Sequence, residues 1–142
     1  MDNSYKTAIK RKTISRPLKY LIKEGLVTKD HWILDYGCGR GDDMEWLRSN
    51  KYDIRGWDPT WYQNSLYMYR SYDIVLCTYV LNVVNSTTRK NIIKVLKDLT
   101  NKHGKVYMTV RRDVEKHTVS SKGTHQYRVK LPFKIIKETA SY

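Results

Sequence analysis

Apolar runs of strand length alternate along the chain with segments in which apolar residues recur at helical spacing. Four such runs lie at residues 32–36, 54–57, 73–79 and 105–110. Helical spacing with capping signals occupies residues 17–25, 42–49 and 86–100, with a turn expected at 101–104. This alternation predicts an α/β fold, a Rossmann-like doubly wound and mainly parallel sheet whose ligands bind outside the carboxyl ends of the strands.

Other segments fall outside this alternation. Residues 59–72 are rich in aromatic side chains and too short for both a strand and a crossover helix, which predicts a compressed connection. Residues 125–129 and 133–138 are expected to form two short strands at an edge. The polar, basic residues 1–16 are expected to form an arm, which leaves residues 17–142 as a single domain.

Three alternating glycines follow the first predicted strand, in the sequence ILDYGCGRGDD. Gly37, Gly39 and Gly41 would let the backbone turn sharply and approach a ligand closely. The register differs from that of the dinucleotide fingerprint, whose third glycine would stand where this chain has Asp42. The alternative interpretation is a tight turn between strand and helix that binds no ligand.

Carboxylates surround this loop, because Asp35 precedes the glycines and Asp42 and Asp43 follow them. They would repel a pyrophosphate from the beginning of the next helix. A ligand with a sulfonium and an ammonium group would be favoured instead, and S-adenosylmethionine is the common cofactor with this charge pattern. The residues resemble motif I of the class I methyltransferases, and Tyr36 and Cys38 are included in the expected cofactor pocket.

A further acid follows at the spacing that is typical of ribose recognition. Asp58 comes 23 residues after Asp35, and an acid roughly 20 residues beyond such a loop can reach ribose hydroxyls. We therefore expect Asp58 to accept hydrogen bonds from the adenosine ribose, with Trp57 and Pro59 beside it. The alternative is that Asp58 and Pro59 only cap a turn.

Candidate catalytic residues follow the third predicted strand. Methyl transfer from a sulfonium is an in-line displacement, in which a protein mainly positions the nucleophile. Asn82 could accept a hydrogen bond from an amine or hydroxyl, and Tyr79 could stack on adenine or on a target base. The alternative is that Tyr79 packs and Asn82 caps a turn. The segment 122–127 could reach a flipped base, although a hairpin turn is the simpler interpretation.

A more specific resemblance rests on several motifs in series: KTAIKRKTISRPLKYLIKEGLV, ILDYGCGRGDD, GWDP, YVLNVV and KGTHQY. Together they resemble the proposed methyltransferases associated with DNA phosphorothioation systems and related short phage proteins. The resemblance runs from about Lys6 to Tyr127. It implies a class I S-adenosylmethionine-dependent methyltransferase in a phage or DNA-modification context. The chain departs from this family's pattern at His125, where Phe is usual after Gly-Thr.

Basic residues are concentrated in the two flanks of the chain. Of the net charge of +13, residues 1–31 carry +5 and residues 101–142 carry +7, whereas residues 32–100 carry only +1. A neutral site between basic flanks is typical of a protein that binds nucleic acid, with DNA favoured over RNA; the alternative is a solvated surface. The expected phosphate contacts are Lys10, Arg11, Lys12, Arg16, Arg111, Arg112, Lys116 and Lys122.

Composition limits the remaining possibilities. Cys38 and Cys77 have no metal-ligand spacing, so neither a metal site nor a disulfide is expected. The chain has no apolar run long enough to cross a bilayer and no signal peptide pattern, which predicts a cytoplasmic protein of a bacterium or phage-infected cell. A homodimer would help so small a domain to grip a duplex. Two other functions stay open: an S-adenosylmethionine-binding, DNA-associated regulatory or anti-restriction protein without methyl transfer, and a small-molecule methyltransferase.

Overall fold

A computed structural model describes residues 13–114 and 116–142 of the chain. The main strands are β1 (Trp32–Tyr36), β2 (Asp53–Trp57), β3 (Tyr72–Thr78) and β4 (Thr100–Thr109). They form one sheet with the order β2-β1-β3-β4, and every pair in it is parallel. The predicted α/β class with a parallel sheet is confirmed, and the first three strands lie within one residue of their expected bounds.

The helices of the sheet domain begin within one residue of the positions that the sequence predicts. They are α1 (Arg16–Lys23), α2 (Asp42–Ser49) and α3 (Ser86–Asp98). The Ser15 side chain accepts a hydrogen bond from the Leu18 N–H at the beginning of α1, and the Asn85 side chain accepts one from the Thr88 N–H at the beginning of α3. All three predicted helices are thereby confirmed.

Two hydrophobic layers hold the helices to the sheet, because successive residues of a strand point to opposite faces. One layer joins α1 and α2 to the sheet and contains Ile14, Leu18, Leu21, Ile33, Met44, Leu47, Ile54, Ile74 and Leu76. The other joins α3 to the sheet and contains Leu34, Tyr36, Val75, Cys77, Leu81, Leu96 and Leu99. Helices on both faces make the sheet doubly wound, as predicted.

The last strand of the sheet begins earlier than the sequence predicts. Residues 101–104 were expected to form a turn, but they belong to β4. The Asp73 carboxylate accepts hydrogen bonds from the Asn101 side-chain amide (2.6 Å) and the Trp32 N–H (2.7 Å). The pairing of β3 with β4 also shifts register between Tyr72 and Ile74. An irregular strand start bonded to Asp73 therefore replaces the expected turn.

The segments after β2 and β4 differ in how well they were predicted. The predicted connection at 59–72 is compressed as expected, with a short 3-10 helix at Ser65–Tyr69, and it ends one residue early because Tyr72 belongs to β3. After β4, strands β5 (Thr118–Val119) and β6 (His125–Gln126) form a separate antiparallel hairpin. The predicted strand at 125–129 is therefore much shorter. The predicted strand at 133–138 is wrong, because Pro132 cannot donate to a ladder and the segment lies against α1, where the Tyr20 hydroxyl donates to the Ile136 carbonyl.

The packed fold begins before the predicted domain boundary. Ile14 and Ser15, which were assigned to the arm, are buried with exposed fractions of 8% and 4%, and Arg16 is the first residue of α1. The rest of the predicted arm, residues 1–12, lies outside the described residues. Among the described helices, none combines the length and the apolar character needed to cross a membrane.

Candidate cofactor site

The glycine loop connects β1 to α2 at the carboxyl edge of the sheet. Gly37, Gly39 and Gly41 have φ angles of 74°, 56° and 83°, in the left-handed region that glycine adopts without strain. A Cβ atom on Gly37 would lie 2.5 Å from Cγ2 of Val80, and one on Gly41 would lie 2.7 Å from the Tyr62 hydroxyl oxygen. The loop therefore needs glycine both for its conformation and for the close approach of its neighbours.

The amide protons of this loop are largely used inside the protein. The N–H groups of Gly37 and Cys38 donate to the Trp57 carbonyl at 2.7 and 3.1 Å. The Gly41 N–H donates to the Cys38 carbonyl at 3.0 Å, and the Gly39 N–H donates to Oδ2 of Asp58 at 2.9 Å. Phosphate-binding loops present free amide protons to the anion. These four amides are instead bonded to the end of β2, to Asp58 or within the loop, so they are not presented to an anion.

Asp58 connects the end of β2 to this loop. The residue is 8% exposed, and its Oδ1 accepts hydrogen bonds from the N–H groups of Thr60 (2.9 Å) and Trp61 (3.1 Å). The turn-capping interpretation is therefore correct, but it does not exclude a ligand. Two carboxylate oxygens offer about four acceptor positions, and the turn and Gly39 use three of them, which leaves Oδ2 able to accept one more hydrogen bond.

The acids around the loop take different positions. Asp35 is buried at the end of β1 with an exposed fraction of 5%, and Asp42 is half-buried at the beginning of α2. Asp43, one residue further round the helix, faces α1 instead, where its carboxylate accepts hydrogen bonds from the Ser15 N–H (2.7 Å) and hydroxyl (2.5 Å). Both oxygens of Asp43 thus bind Ser15, which indicates a structural role for this acid. Its assignment to the cofactor pocket stays a prediction.

The pKa of the Cys38 thiol indicates the sign of the electrostatic field at the loop. Burial raises its pKa well above the usual range, and the Asp35 and Asp58 carboxylates raise it further. Asp35 also raises the pKa of Cys77, after the larger effect of burial. Both thiols are therefore neutral at physiological pH, which excludes a thiolate nucleophile here. The loop lies in a negative field, which favours a cationic ligand.

Two predicted pocket residues pack under the loop. The rings of Tyr36 and Trp57 lie on neighbouring strands with their centroids 5.1 Å apart and an interplanar angle of 29°. Tyr36 is buried in the layer next to α3, and burial, followed by Cys77, raises its pKa to about 12. Its side chain is thus part of the core. Pro59 is exposed, and its carbonyl accepts a hydrogen bond from the Gln63 side chain.

The predicted catalytic residues follow β3, on the other side of β1 from Asp58. Tyr79 is half-buried and has a φ of 59°, which is strained for a side chain of this size. Its N–H donates to the Thr109 carbonyl at 2.9 Å. Asn82 is only 1% exposed; its amide donates to Oε1 of Gln126 at 2.9 Å. A catalytic role of these two residues stays a prediction.

Three of the predicted phosphate contacts are held by neighbours within the chain. Arg111 donates through two nitrogens to the Asp113 carboxylate at 2.8 and 2.9 Å. Arg112 pairs with Glu138 at 3.4 Å. Arg16 donates to the Ser141 hydroxyl at 3.2 Å and lies over the Tyr142 ring.

The remaining predicted phosphate contacts are lysines and one arginine. Lys116 and Lys122 are exposed in and beside the hairpin, whereas Lys10, Arg11 and Lys12 lie outside the described residues.

Several residues that shape the site were missed by the sequence analysis. The Tyr62 hydroxyl donates to the Arg40 carbonyl at 3.3 Å and closes over Gly41. Arg89 fixes the turn after β3, because its guanidinium donates to the carbonyls of Leu81 and Val84 at 3.1 Å each. The aromatic content of residues 59–72 is the signal that could have indicated Tyr62; Arg89 has no local signal, since its partners depend on the tertiary fold.

The comparison with known proteins agrees with this architecture. Residues 8–132 match the family model described as a methyltransferase domain, while no curated protein sequence matches the chain. The matched region includes all four strands of the parallel sheet and the three helices that cover it. Because the match spans the sheet, its helices and the glycine loop, the chain belongs to the methyltransferase domain family and has a class I methyltransferase fold.

Proposed function

We propose that the chain binds S-adenosylmethionine at its glycine loop and transfers the methyl group to nucleic acid, with DNA favoured over RNA. The observation that carries the cofactor assignment is the combination of amides and acids at the loop. The loop amides donate within the protein, and the buried carboxylates of Asp35 and Asp58 give it a negative field. A phosphate ligand would be repelled, whereas a ligand with a sulfonium and an ammonium group would be attracted.

Individual residues fit this cofactor. Asp58 would accept a ribose hydroxyl at the free position of Oδ2, and the acids Asp35 and Asp42 would attract the positive groups of the cofactor. When bound, the cofactor supplies a methyl carbon that is activated by its sulfonium sulfur. The protein itself would orient the acceptor in line with that carbon. Tyr79, whose backbone has a φ of 59° and bonds to β4, would help to fix this orientation.

A nucleic acid as acceptor is supported by how the two basic flanks pack. The Tyr20 hydroxyl of α1 donates to the Ile136 carbonyl at 3.1 Å, and the Lys137 ammonium lies over the Tyr20 ring. The basic C-terminal segment therefore packs against α1, which also carries the exposed Lys19 and Lys23. A shared positive surface of this kind favours a polyanion. We propose the phage or DNA-modification context on the sequence resemblance alone.

The decisive experiment is a methyl-transfer assay with radiolabelled S-adenosylmethionine. Duplex DNA, single-stranded DNA, RNA and a panel of small amines and phenols are offered separately, and the product is identified by mass spectrometry. We expect label in DNA and a steep loss of binding with salt, because phosphate contacts release counterions. Transfer to small molecules alone would overturn the acceptor, and absence of cofactor binding in calorimetry would overturn the cofactor.

A binding protein without transfer activity is the second candidate function, and the burial of Asn82 favours it. At 1% exposure, this residue would reach an acceptor only if the Gln126 contact opened. Binding of both cofactor and DNA with no label transferred to any acceptor would identify the chain as a cofactor-dependent regulatory or anti-restriction protein. The same assay therefore separates the two functions.

A further inference from the structure

The hairpin of β5 and β6 carries a flat cluster of rings, which we call the hairpin platform: His117, His125 and Tyr127. Nε2 of His117 and Nδ1 of His125 lie 2.9 Å apart. Their ring centroids are 5.2 Å apart and their planes differ by 18°, which is the geometry of two imidazoles hydrogen-bonded edge to edge in nearly one plane. Tyr127 stacks on His117 with centroids 4.2 Å apart and planes 9° apart.

The hairpin platform is fixed to the turn that follows β3. The Asn82 carbonyl accepts a hydrogen bond from the Tyr127 N–H at 2.7 Å, and its side-chain amide donates to Gln126 at 2.9 Å. Val80, in the same turn, packs against Gly37 of the glycine loop. The platform is therefore connected through one short turn to the cofactor loop. Asp58 follows β2, on the far side of β1 from the platform. With the ribose at Asp58, the methyl acceptor would lie on the side of the platform.

We propose that the hairpin platform stacks on an unpaired nucleobase and presents it to the site. This inference rests on the proposed function and names the part of the protein that holds the acceptor. Aromatic rings bind bases of single strands through their faces, and one such contact strengthens binding by about tenfold to a hundredfold. His117 is exposed, so the platform reaches solvent, where a base can approach it.

Polar groups around the platform fit the rest of a nucleotide. Lys116, which precedes His117, and Lys122, in the turn of the hairpin, are exposed and suit phosphate contacts. Because Oε1 of Gln126 accepts from Asn82, the Gln126 amide group is left as a donor for a carbonyl or ring nitrogen of a base. The Arg89 guanidinium lies 5.8 Å from the Tyr127 ring centroid while it donates to the turn, so it connects the platform to the turn after β3.

The same rings could act only as packing for a hairpin whose ladder has two residue pairs. The two interpretations differ in what they require of a ligand. If the rings only pack the hairpin, the protein should bind a DNA strand with bases and an abasic DNA strand equally well. Stacking requires the base, so the abasic strand should bind more weakly. Binding of nucleic acid to the intact protein therefore separates them.

The test measures binding of a fluorescent single-stranded 12-nucleotide DNA by anisotropy, next to an abasic strand of the same length. The variants are His117→Ser, which removes the ring, and His117→Phe, which keeps a flat ring. His103→Ser is the matched control, because His103 is also exposed but lies near the amino end of β4. We expect about tenfold weaker binding of the base-containing strand for His117→Ser and unchanged binding for His117→Phe and His103→Ser. The abasic strand should bind weakly to all four proteins.

Three results would overturn the proposal: equal binding of the two strands by the unaltered protein, no effect of His117→Ser, or equal losses for His117→Ser and His117→Phe. Calorimetry with S-adenosylmethionine is run in parallel, so that the two proposals fail separately. Base-dependent binding of DNA without binding of the cofactor would support the platform and refute the proposed function. Methyl transfer at an unchanged rate in His117→Ser would support the proposed function and refute the platform.

Discussion

The amide of Gly39 donates a 2.9 Å hydrogen bond to Oδ2 of Asp58. This contact joins the loop after β1 to the residue after β2, at the carboxyl edge that these two neighbouring strands share. The acid that would hold the ribose therefore also holds the loop on which the cofactor would lie. A change at Asp58 should affect ligand contact and loop geometry together.

Replacing Asp58 with Ala should weaken binding of S-adenosylmethionine by about tenfold to a hundredfold. The substitution removes the proposed ribose acceptor and the acceptor for the Gly39 amide, and a hydrogen bond to a charged group contributes about 1.5–3 kcal/mol. Isothermal titration calorimetry measures the change directly. Unchanged affinity would refute the ribose assignment.

Asp53→Ala is the matched control for this experiment. Asp53 begins β2, at the opposite end of the strand, and pairs with Arg55 at 2.8 Å on the surface. The substitution removes the same charge without touching the loop, so cofactor affinity should not change. If both variants lost affinity equally, general electrostatics rather than a specific contact at Asp58 would be the cause.

Gly37→Ala should lower cofactor affinity and stability together. Its φ of 74° costs an alanine about 1 kcal/mol, and its Cβ would lie 2.5 Å from Cγ2 of Val80. Gly25→Ala separates these effects, because Gly25 has a φ of 70° and an added Cβ would meet nothing within 4 Å. Thermal unfolding should show a small loss for Gly25→Ala, with normal cofactor binding, and a larger loss for Gly37→Ala.

Combining Gly37→Ala with Val80→Ala tests the clash itself. Val80→Ala removes the methyl groups that an alanine at position 37 would meet, so the double variant should regain part of the lost affinity. The measured quantity is the coupling free energy of the double-mutant cycle from calorimetry. A coupling of zero would mean that the backbone conformation of Gly37, and not its distance from Val80, is what the loop requires.

Local patterns were enough to predict most of the sheet domain. The bounds of β1 and α2 follow directly from an apolar run and from the acids after Gly41. Caps such as Asn85 act on their own turn of the chain, so they can be read without a fold. The glycine loop and Asp58 were also predictable, since both lie next to strand ends whose order in space follows from a parallel sheet.

Features that depend on distant partners were not predictable. Residues 101–104, which were predicted as a turn, lie in β4, where the Asp73 carboxylate at the beginning of β3 binds Asn101. Asp43 looked equivalent to Asp42 in sequence, but Ser15, 28 residues away, binds its carboxylate. The hairpin platform combines His117 with rings eight or more residues later. Neither hydrophobic periodicity nor a capping signal, which both depend on neighbouring residues, can indicate such distant pairs.

The different positions of Asp42 and Asp43 predict opposite effects of their substitution. Asp43→Ala should lower the free energy of unfolding by about 2–4 kcal/mol, because it leaves the buried Ser15 N–H and hydroxyl without their acceptor. Asp42→Ala should cost less stability than Asp43→Ala, because Asp42 is only half-buried, and should weaken cofactor binding. Urea denaturation and calorimetry are measured on both variants. If Asp43→Ala kept its stability but bound the cofactor poorly, Asp43 would belong to the cofactor pocket and would not be a structural residue.

Asp73 should make stability depend on acid pH. The Trp32 N–H, followed by the Asn101 amide, holds the pKa of this carboxyl below its usual range. A depressed native pKa adds stability above the pKa of the unfolded chain, and this stability is lost as pH falls through the native value. Because Asp73 is half-buried and water competes, Asp73→Asn should cost about 1–2 kcal/mol at pH 7.

The difference between Asp73→Asn and the unaltered protein should disappear as the pH falls below the native pKa of Asp73, since the unaltered carboxyl is then neutral too. Urea denaturation at a series of pH values from neutral to acidic measures this convergence. Asp30→Asn is the control, because Asp30 is exposed before β1 and should change stability little at any pH. If the Asp73→Asn difference persisted at the acid end, the geometry of the two hydrogen bonds, rather than the charge of Asp73, would connect β1 to β4.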